Sequence, residues 1–200
     1  LDGWSALILA AGAGRRFGGG KLLADLGGAP VVRRTTEAVV SAGFGEVVVA
    51  TGAEYPAITA ALEGLSCRII TAPDWAKGMA ASLRAGLAAL GTPDEGVFVF
   101  LGDMPLVPVG LCAELAELAK EAGYAARPRV SGKPGHPAAF TRAALSEVAE
   151  LCGDVGAAAL LKKRSEGVAY LNTEAIGAVI DIDAPEDLAA AVRLWNACAT

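Results

Sequence analysis

The sequence holds one histidine, four cysteines, two methionines and no surplus of basic residues. Each shortage closes off a class of function. His136 is the lone imidazole, and Cys67, Cys112, Cys152 and Cys198 are scattered without a Cys-x-x-C pair, so no zinc site is expected. Nor do four cysteines suggest a disulfide framework in a chain of 200 residues. They read as small buried hydrophobes in a reducing compartment, which makes the cytoplasm the expected location. Lys plus Arg number 17 against 22 Asp plus Glu, a net charge of −5 and the wrong sign for general nucleic-acid binding. No apolar run reaches the roughly 18 residues that cross a bilayer, so no membrane association is expected. The stretch from Ala6 to Ala11 is short and follows Asp2 rather than a basic segment, so it does not read as a secretory leader. Repeats, linkers and low-complexity tracts are missing too.

What remains is a 54% hydrophobic, alanine-rich chain of the length of one domain, expected to span residues 1–200. Short apolar runs alternate with helical patterns. Ala6 to Ala10, Glu46 to Ala50, Cys67 to Ile70 and Val97 to Leu101 read as strands, the first as one buried on both faces and the last as the strongest in the chain. Between them Pro30 to Ala42, Pro56 to Leu62 and Met79 to Leu90 read as helices, and Gly110 to Ala122 follows. The second half predicts strands over Tyr124 to Val130, Pro137 to Phe140, Val168 to Leu171 and Val179 to Ile182. It predicts helices over Arg142 to Leu151, Val155 to Arg164 and Ala184 to Cys198. This order argues for an α/β fold, a mostly parallel sheet with helices on both faces. Ligands of such sheets sit beyond the carboxyl ends of the strands.

The first strand runs into Leu9-Ala-Ala-Gly-Ala-Gly-Arg-Arg-Phe-Gly-Gly-Gly-Lys21. Glycines let backbone N–H groups approach phosphate oxygens, and Arg15, Arg16 and Lys21 set positive charge beside them. Residues 1–34 carry five basic and two acidic side chains in an otherwise acidic protein, which suits a polyphosphate site better than a solvated surface loop. It is not a P-loop, because Arg15 and Leu22 occupy the positions of the first glycine and the Ser/Thr. Neither is it the dinucleotide fingerprint, since Phe17 stands where the third glycine belongs. Both failures weaken the ATPase and dehydrogenase readings.

Two acidic segments follow strands. Asp103, in Leu101-Gly-Asp-Met-Pro105, either holds a hard cation such as Mg²⁺ or caps the next turn. In Asp181-Ile-Asp-Ala-Pro-Glu-Asp187, Asp181 and Asp183 would share one face of a strand, while Asp187 suits a helix cap. Arg127, Arg129 and Lys133 have no acidic neighbour in sequence, and either meet an acceptor phosphate or form a solvated turn. Trp4 and Trp195 read as packing, and Trp75 too, although it adjoins Asp74 in a candidate nucleotide loop.

The pattern G-x-G-x-R-F-G-x-x-K resembles the signature loop of the nucleotidyltransferases of molybdenum cofactor biosynthesis, which wraps a nucleotide triphosphate. Leu-Gly-Asp-Met-Pro and Asp-Ile-Asp-Ala-Pro-Glu-Asp-Leu resemble that family's metal-binding segments, with Ala184 in place of the usual threonine. Gly78-Met-Ala-Ala-Ser-Leu-Arg-Ala-Gly86, Gly135-His-Pro-Ala-Ala-Phe140 and Gly153-Asp-Val-Gly-Ala157 resemble three more of its segments, so six fall in order from Ala6 to about Leu188. The resemblance implies a three-layer, Rossmann-like nucleotidyltransferase fold. It implies Mg²⁺ on Asp103 and Asp183, with Arg16, Lys21 and Asp103 acting in catalysis. The nucleotide and acceptor would meet Leu9, Ala10, Ala11, Gly12, Gly14, Lys21, Asp74, Gly78, Ser82, Gly102 and His136. His136 stands on the acceptor side, where relatives with asparagine speak against obligatory acid–base chemistry. Leu9-Ala-Ala-Gly12 resembles the cytidylyl branch, which implies transfer of CMP from CTP to molybdopterin and a molybdenum hydroxylase or its chaperone as partner. Guanylyl transfer, sugar-phosphate nucleotidyl transfer and a non-catalytic assembly factor are the alternatives.

Overall fold

The computed structural model describes residues 1–12, 14–52, 54–153 and 157–198, apart from the side chains of Arg15, Ala159 and Cys198. Its elements in chain order are β1 (Trp4–Ala10), α1 (Val31–Ser41), β2 (Glu46–Thr51), α2 (Tyr55–Ala61), β3 (Arg68–Thr71), α3 (Met79–Ala89) and β4 (Gly96–Leu101). There follow α4 (Cys112–Ala122), β5 (Ala125–Val130), β6 (Lys133–Pro134), β7 (Ala138–Thr141), α5 (Leu145–Ala149), α6 (Ala157–Lys163), β8 (Val168–Asn172) and α7 (Pro185–Cys198).

One sheet collects the strands in the order β3-β2-β1-β4-β7-β5-β6, with β8 paired to β5. β1 pairs parallel with β2 and β4, β2 pairs parallel with β3, and β7 is antiparallel to both β4 and β5. Alternation along the central strands sorts their side chains between two cores. Ala6, Ile8, Val47, Val49, Phe98 and Phe100 meet α1, α2 and α4 on one face. Leu7, Val48, Val97 and Val99 meet α3, α5 and α6 on the other. Those two cores give the three layers, and they explain why β1 and β4 read as unbroken apolar runs. Trp4 lies edge-on to Phe98 at 5.0 Å, closing the lower end of the first core.

A third, smaller core sets the site. Leu26, Val31, Ile182 and Ala191 bury one another, with Phe17, Leu188 and Trp195 packed around them. It ties α7 to the segment after the glycine loop. Trp195 serves here as packing, with the Arg34 guanidinium 4.8 Å above its ring.

The predicted strand at 179–182 does not form. A 3-10 turn takes Ile176–Val179, and Ile182 is tied to the sheet end by its backbone N–H donating to the Asp103 carbonyl at 3.0 Å. Burial of Ile182 in the third core, rather than strand pairing, gave the stretch its apolar look. Arg142–Ala144 is likewise a 3-10 turn, so the predicted helix there shortens to α5. Among the described residues no helix is long and apolar enough to cross a membrane.

Candidate active site

The glycine loop leaves β1 and turns back twice. Gly14 is in the left-handed region at φ 56° and lies so close to Lys21 that a Cβ there would stand 3.1 Å from the lysine Cγ. The lysine stem thus lies over bare backbone and is buried, and its head is carried to the end of β4. There Lys21 Nζ donates to Asp103 Oδ2 at 2.5 Å and to Asp183 Oδ1 at 3.0 Å. Arg16 Nη2 reaches the other oxygen of Asp183 at 2.8 Å. Three segments separated by 82 and 162 residues therefore converge on one ammonium.

Each carboxylate is held by its own backbone. Asp103 follows β4, whose end is tied to β1 by the Gly102 N–H donating to the Leu9 carbonyl at 2.9 Å. Asp183 leads into α7, where Asp187 Oδ2 accepts from the backbone N–H groups of Asp183 at 3.0 Å and Ala184 at 2.8 Å. Asp187, in the first turn of α7, reaches back to the N–H groups ahead of the helix as in a capping box, leaving the Asp183 carboxylate to face the loop.

Burial opposes charge on Lys21, but the Asp103 carboxylate, with Asp183 beside it, outweighs burial and raises the ammonium above its ordinary value. Burial also lifts the Asp103 carboxyl above the usual range, with Lys21 opposing and the Asp181 charge adding. Asp103 Oδ1 is sealed from solvent without a hydrogen-bond partner among the described residues. An unpartnered carboxylate oxygen beside a second carboxylate fits a hard divalent cation. No three His, Cys, Asp or Glu side chains gather at metal-binding distance among the described residues. Such an ion would therefore complete its shell with water and phosphate oxygens, as Mg²⁺ commonly does.

These groups open on a cavity of about 690 Å³. Leu9, Ala10, Ala11, Gly12 and Gly14 line it from the loop, with Arg16 and Lys21. Gly78 and Ser82 line it from the start of α3, and Asp103 and Asp183 from the far side. The structure thus brings most of the sequence-predicted site residues around one space.

Three it does not bring there. Asp74 is exposed and pairs with Lys77 at 2.9 Å. Gly102 acts behind the wall, through its bond to Leu9 and by accepting from Thr35 Oγ1 at 3.0 Å. His136 lies in the β6–β7 connection, its N–H donating to the Ala178 carbonyl at 2.7 Å and its Nδ1 sealed without a partner among the described residues. Burial, then the nearby Arg127 charge, push its imidazole down to about 4, against a backbone hydrogen bond at Val99. Arg127 itself neither meets solvent nor points free: it is buried, and its Nε and Nη2 both donate to the Gly135 carbonyl. Arg129 lies 3.7 Å above the Tyr170 ring, and Lys133 Nζ reaches the Val179 carbonyl at 3.5 Å. Of the predicted Gly153–Ala157 segment, residues 154–156 lie outside the described residues.

Sequence reasoning left Leu22, Trp75, Ala76, Met79, Leu101 and Asp181 off the site, although all line the cavity. The carboxyl-end rule pointed to the segments carrying Trp75, Ala76 and Asp181 but not to which side chains face inward, and Leu22, Met79 and Leu101 lie just outside those segments.

Comparison with known proteins agrees with this geometry. A family profile described as MobA-like NTP transferase domain matches residues 6–168. The chain is 31% identical over 193 residues to nicotine blue oxidoreductase of Paenarthrobacter nicotinovorans, covering 92% of this chain and 94% of that one. It is 30% identical over 100 residues to 3-deoxy-manno-octulosonate cytidylyltransferase of Francisella philomiragia, half of this chain and only 39% of that protein's length. The crystal structure of Rv0371c from Mycobacterium tuberculosis superposes with a TM-score of 0.84 at 27% identity, covering 95% of this chain and 97% of that one. A manganese complex of the same mycobacterial protein superposes at 0.79 with 24% identity, covering 95% and 98%. Because that profile matches well over half of the sequence, the chain belongs to the MobA-like NTP transferase family.

Proposed function

We propose that this protein transfers a nucleotide, CMP from CTP in the leading reading, to the phosphate of a molybdopterin-type acceptor and releases pyrophosphate. The observation that carries it is the Lys21 ammonium held between Asp103 and Asp183 at the edge of a glycine-loop cavity. A triphosphate needs a cationic, N–H-rich cradle, and a reacting α-phosphate needs positive charge across from carboxylates that position it. The loop and the two aspartates supply those parts.

An oxygen of the acceptor phosphate forms the new bond to the α-phosphorus, and the bond to the bridging oxygen of pyrophosphate breaks with its electron pair. Arg16 and Lys21 stabilise the charge that builds on the departing pyrophosphate. Asp103 and Asp183 would hold a divalent ion, taken as Mg²⁺, which when bound would supply charge neutralisation at the phosphates. No side chain has to remove a proton, because an acceptor phosphate is already ionised near neutral pH. That agrees with a lone histidine whose imidazole is held neutral. The cytidylyl choice rests on Leu9-Ala-Ala-Gly12 and is supported by the cytidylyltransferase among the relatives.

Pyrophosphate release over four nucleoside triphosphates, with and without molybdopterin and with Mg²⁺ or Mn²⁺, tests this. Release that needs CTP and molybdopterin together is the expected result. Release with GTP, or with a sugar phosphate as acceptor, moves the protein to a neighbouring branch of the family.

The Paenarthrobacter relative, an oxidoreductase by name, covers nearly the whole chain and carries a second reading. Two-electron reduction of added nicotine blue by a reduced nicotinamide cofactor, without pyrophosphate release, would establish it. Phe17 at the third glycine of the dinucleotide fingerprint speaks for the transferase instead.

A further inference from the structure

The cavity lining falls into two chemically different groups. One is the connected charged cluster of Arg16, Lys21, Asp103 and Asp183. The other is small and apolar, including Ala11 and the half-exposed Met79, and it holds the lining's one aromatic ring, Trp75. Trp75 opens the 3-10 turn Trp75–Lys77 between β3 and α3 and is only partly covered.

Its position is fixed from two sides. The Trp75 N–H donates to the Ala72 carbonyl, and the Trp75 carbonyl accepts from Gly78, both at 3.2 Å. The indole rests on Gly52, just past the end of β2. A Cβ at Gly52 would stand 2.9 Å from Trp75 Cγ and Cδ2 and 2.8 Å from the Ala11 carbonyl oxygen. A side chain there would displace both the ring and the loop backbone; glycine lets them close on the same stretch of chain. The result is a rigidly seated aromatic surface beside the loop that faces the phosphates. A partly exposed indole offers an apolar surface on which a flat ring can gain by stacking.

Resting on the nucleotide reading above, we infer that Trp75, seated on Gly52, is the wall against which the nucleobase stacks. Every base offers a π-face, so stacking adds affinity for any nucleotide and does not choose among them. The choice falls to hydrogen-bonding groups elsewhere in the cavity.

Calorimetry on the full chain with CTP, GTP and inorganic tripolyphosphate separates base from phosphate binding. Trp75→Ala should weaken both nucleotides by a similar factor, about tenfold or more, and leave tripolyphosphate unchanged. CTP should quench tryptophan emission in the wild type, and Trp75→Phe should retain most of the affinity while losing that quenching. Gly52→Ala should follow Trp75→Ala in direction. Nucleotide affinities unchanged in Trp75→Ala would overturn the inference and leave the transferase reading standing. A matching loss for tripolyphosphate would overturn it too, since that reports a damaged cavity. Wild-type protein that binds no nucleotide at all would end both.

Discussion

Lys21 and Arg127 are both buried cations, and the protein treats them in opposite ways. Lys21 lies between two carboxylates, and burial loses to those charges, so its ammonium is raised in pKa. Arg127 makes no salt bridge among the described residues; burial lowers its pKa, and its Nε and Nη2 donors converge on the Gly135 carbonyl. An ion pair at the rim of a cavity can change partners, since a phosphate or a metal ion can replace either member. A guanidinium locked on a backbone carbonyl cannot do so without undoing the hairpin it braces. The first arrangement is therefore suited to chemistry and the second to holding β6 and β7 in place, although both drew the same suspicion from sequence.

The sharpest contrast comes from deleting one member of each. Asp103→Ala should cost about a hundredfold to a thousandfold or more in turnover with Mg²⁺ and CTP, while the urea midpoint stays near that of the wild type. Near wild-type turnover would remove Asp103 from the metal role. Arg127→Ala should do the reverse, losing about 1–3 kcal/mol of stability by urea titration because the Gly135 carbonyl loses a charged partner. Arg127→Lys should rescue it poorly, since one ammonium does not reproduce the two-donor fork. Next in size, Lys21→Met should weaken CTP binding by calorimetry about tenfold, the worth of a charge-assisted contact. The same variant should bind Mn²⁺ more tightly without nucleotide, because the resident ammonium no longer competes for Asp103 and Asp183. Unchanged affinity for both ligands would place Lys21 with Arg127 as a structural cation.

The split between the two regions follows how each is written in the sequence. The central strands were legible because residues buried on both faces must all be apolar, and the 97–101 run shows it without interruption. The loop's place at a cavity was legible because glycine next to clustered cations after a buried strand marks a ligand-facing turn. That Lys21 would meet Asp103 and Asp183 was carried only by the resemblance, since no local pattern encodes contacts 82 and 162 residues apart. Ile182 misled because an apolar residue filling the third core looks, in one dimension, like a strand. Arg127 misled because a chain of charges without acidic neighbours says nothing about whether a carbonyl waits nearby. Trp75 lay in a marked segment, but its seat depends on Gly52, 23 positions earlier, and on the β2–β3 pairing that brings them together.

His136 gives the smallest effect and links it to Arg127. Its imidazole is held down to about 4 by burial and by the Arg127 charge, whereas in the unfolded chain it titrates near 6.5. Between those values the unfolded chain binds a proton that the folded one refuses, so stability is complete above about 6.5 and falls as the pH drops toward 4. By pH 5 this amounts to at most about 2 kcal/mol. Urea midpoints at pH 7 and pH 5 should therefore separate more for the wild type than for His136→Asn, which has nothing to protonate. Arg127→Ala should also narrow the wild-type gap, because removing the guanidinium lets the imidazole titrate closer to its ordinary value. Equal gaps in the wild type and His136→Asn would mean that the imidazole takes up its proton as readily in the fold as outside it, and neither burial nor the Arg127 charge would then govern that ring.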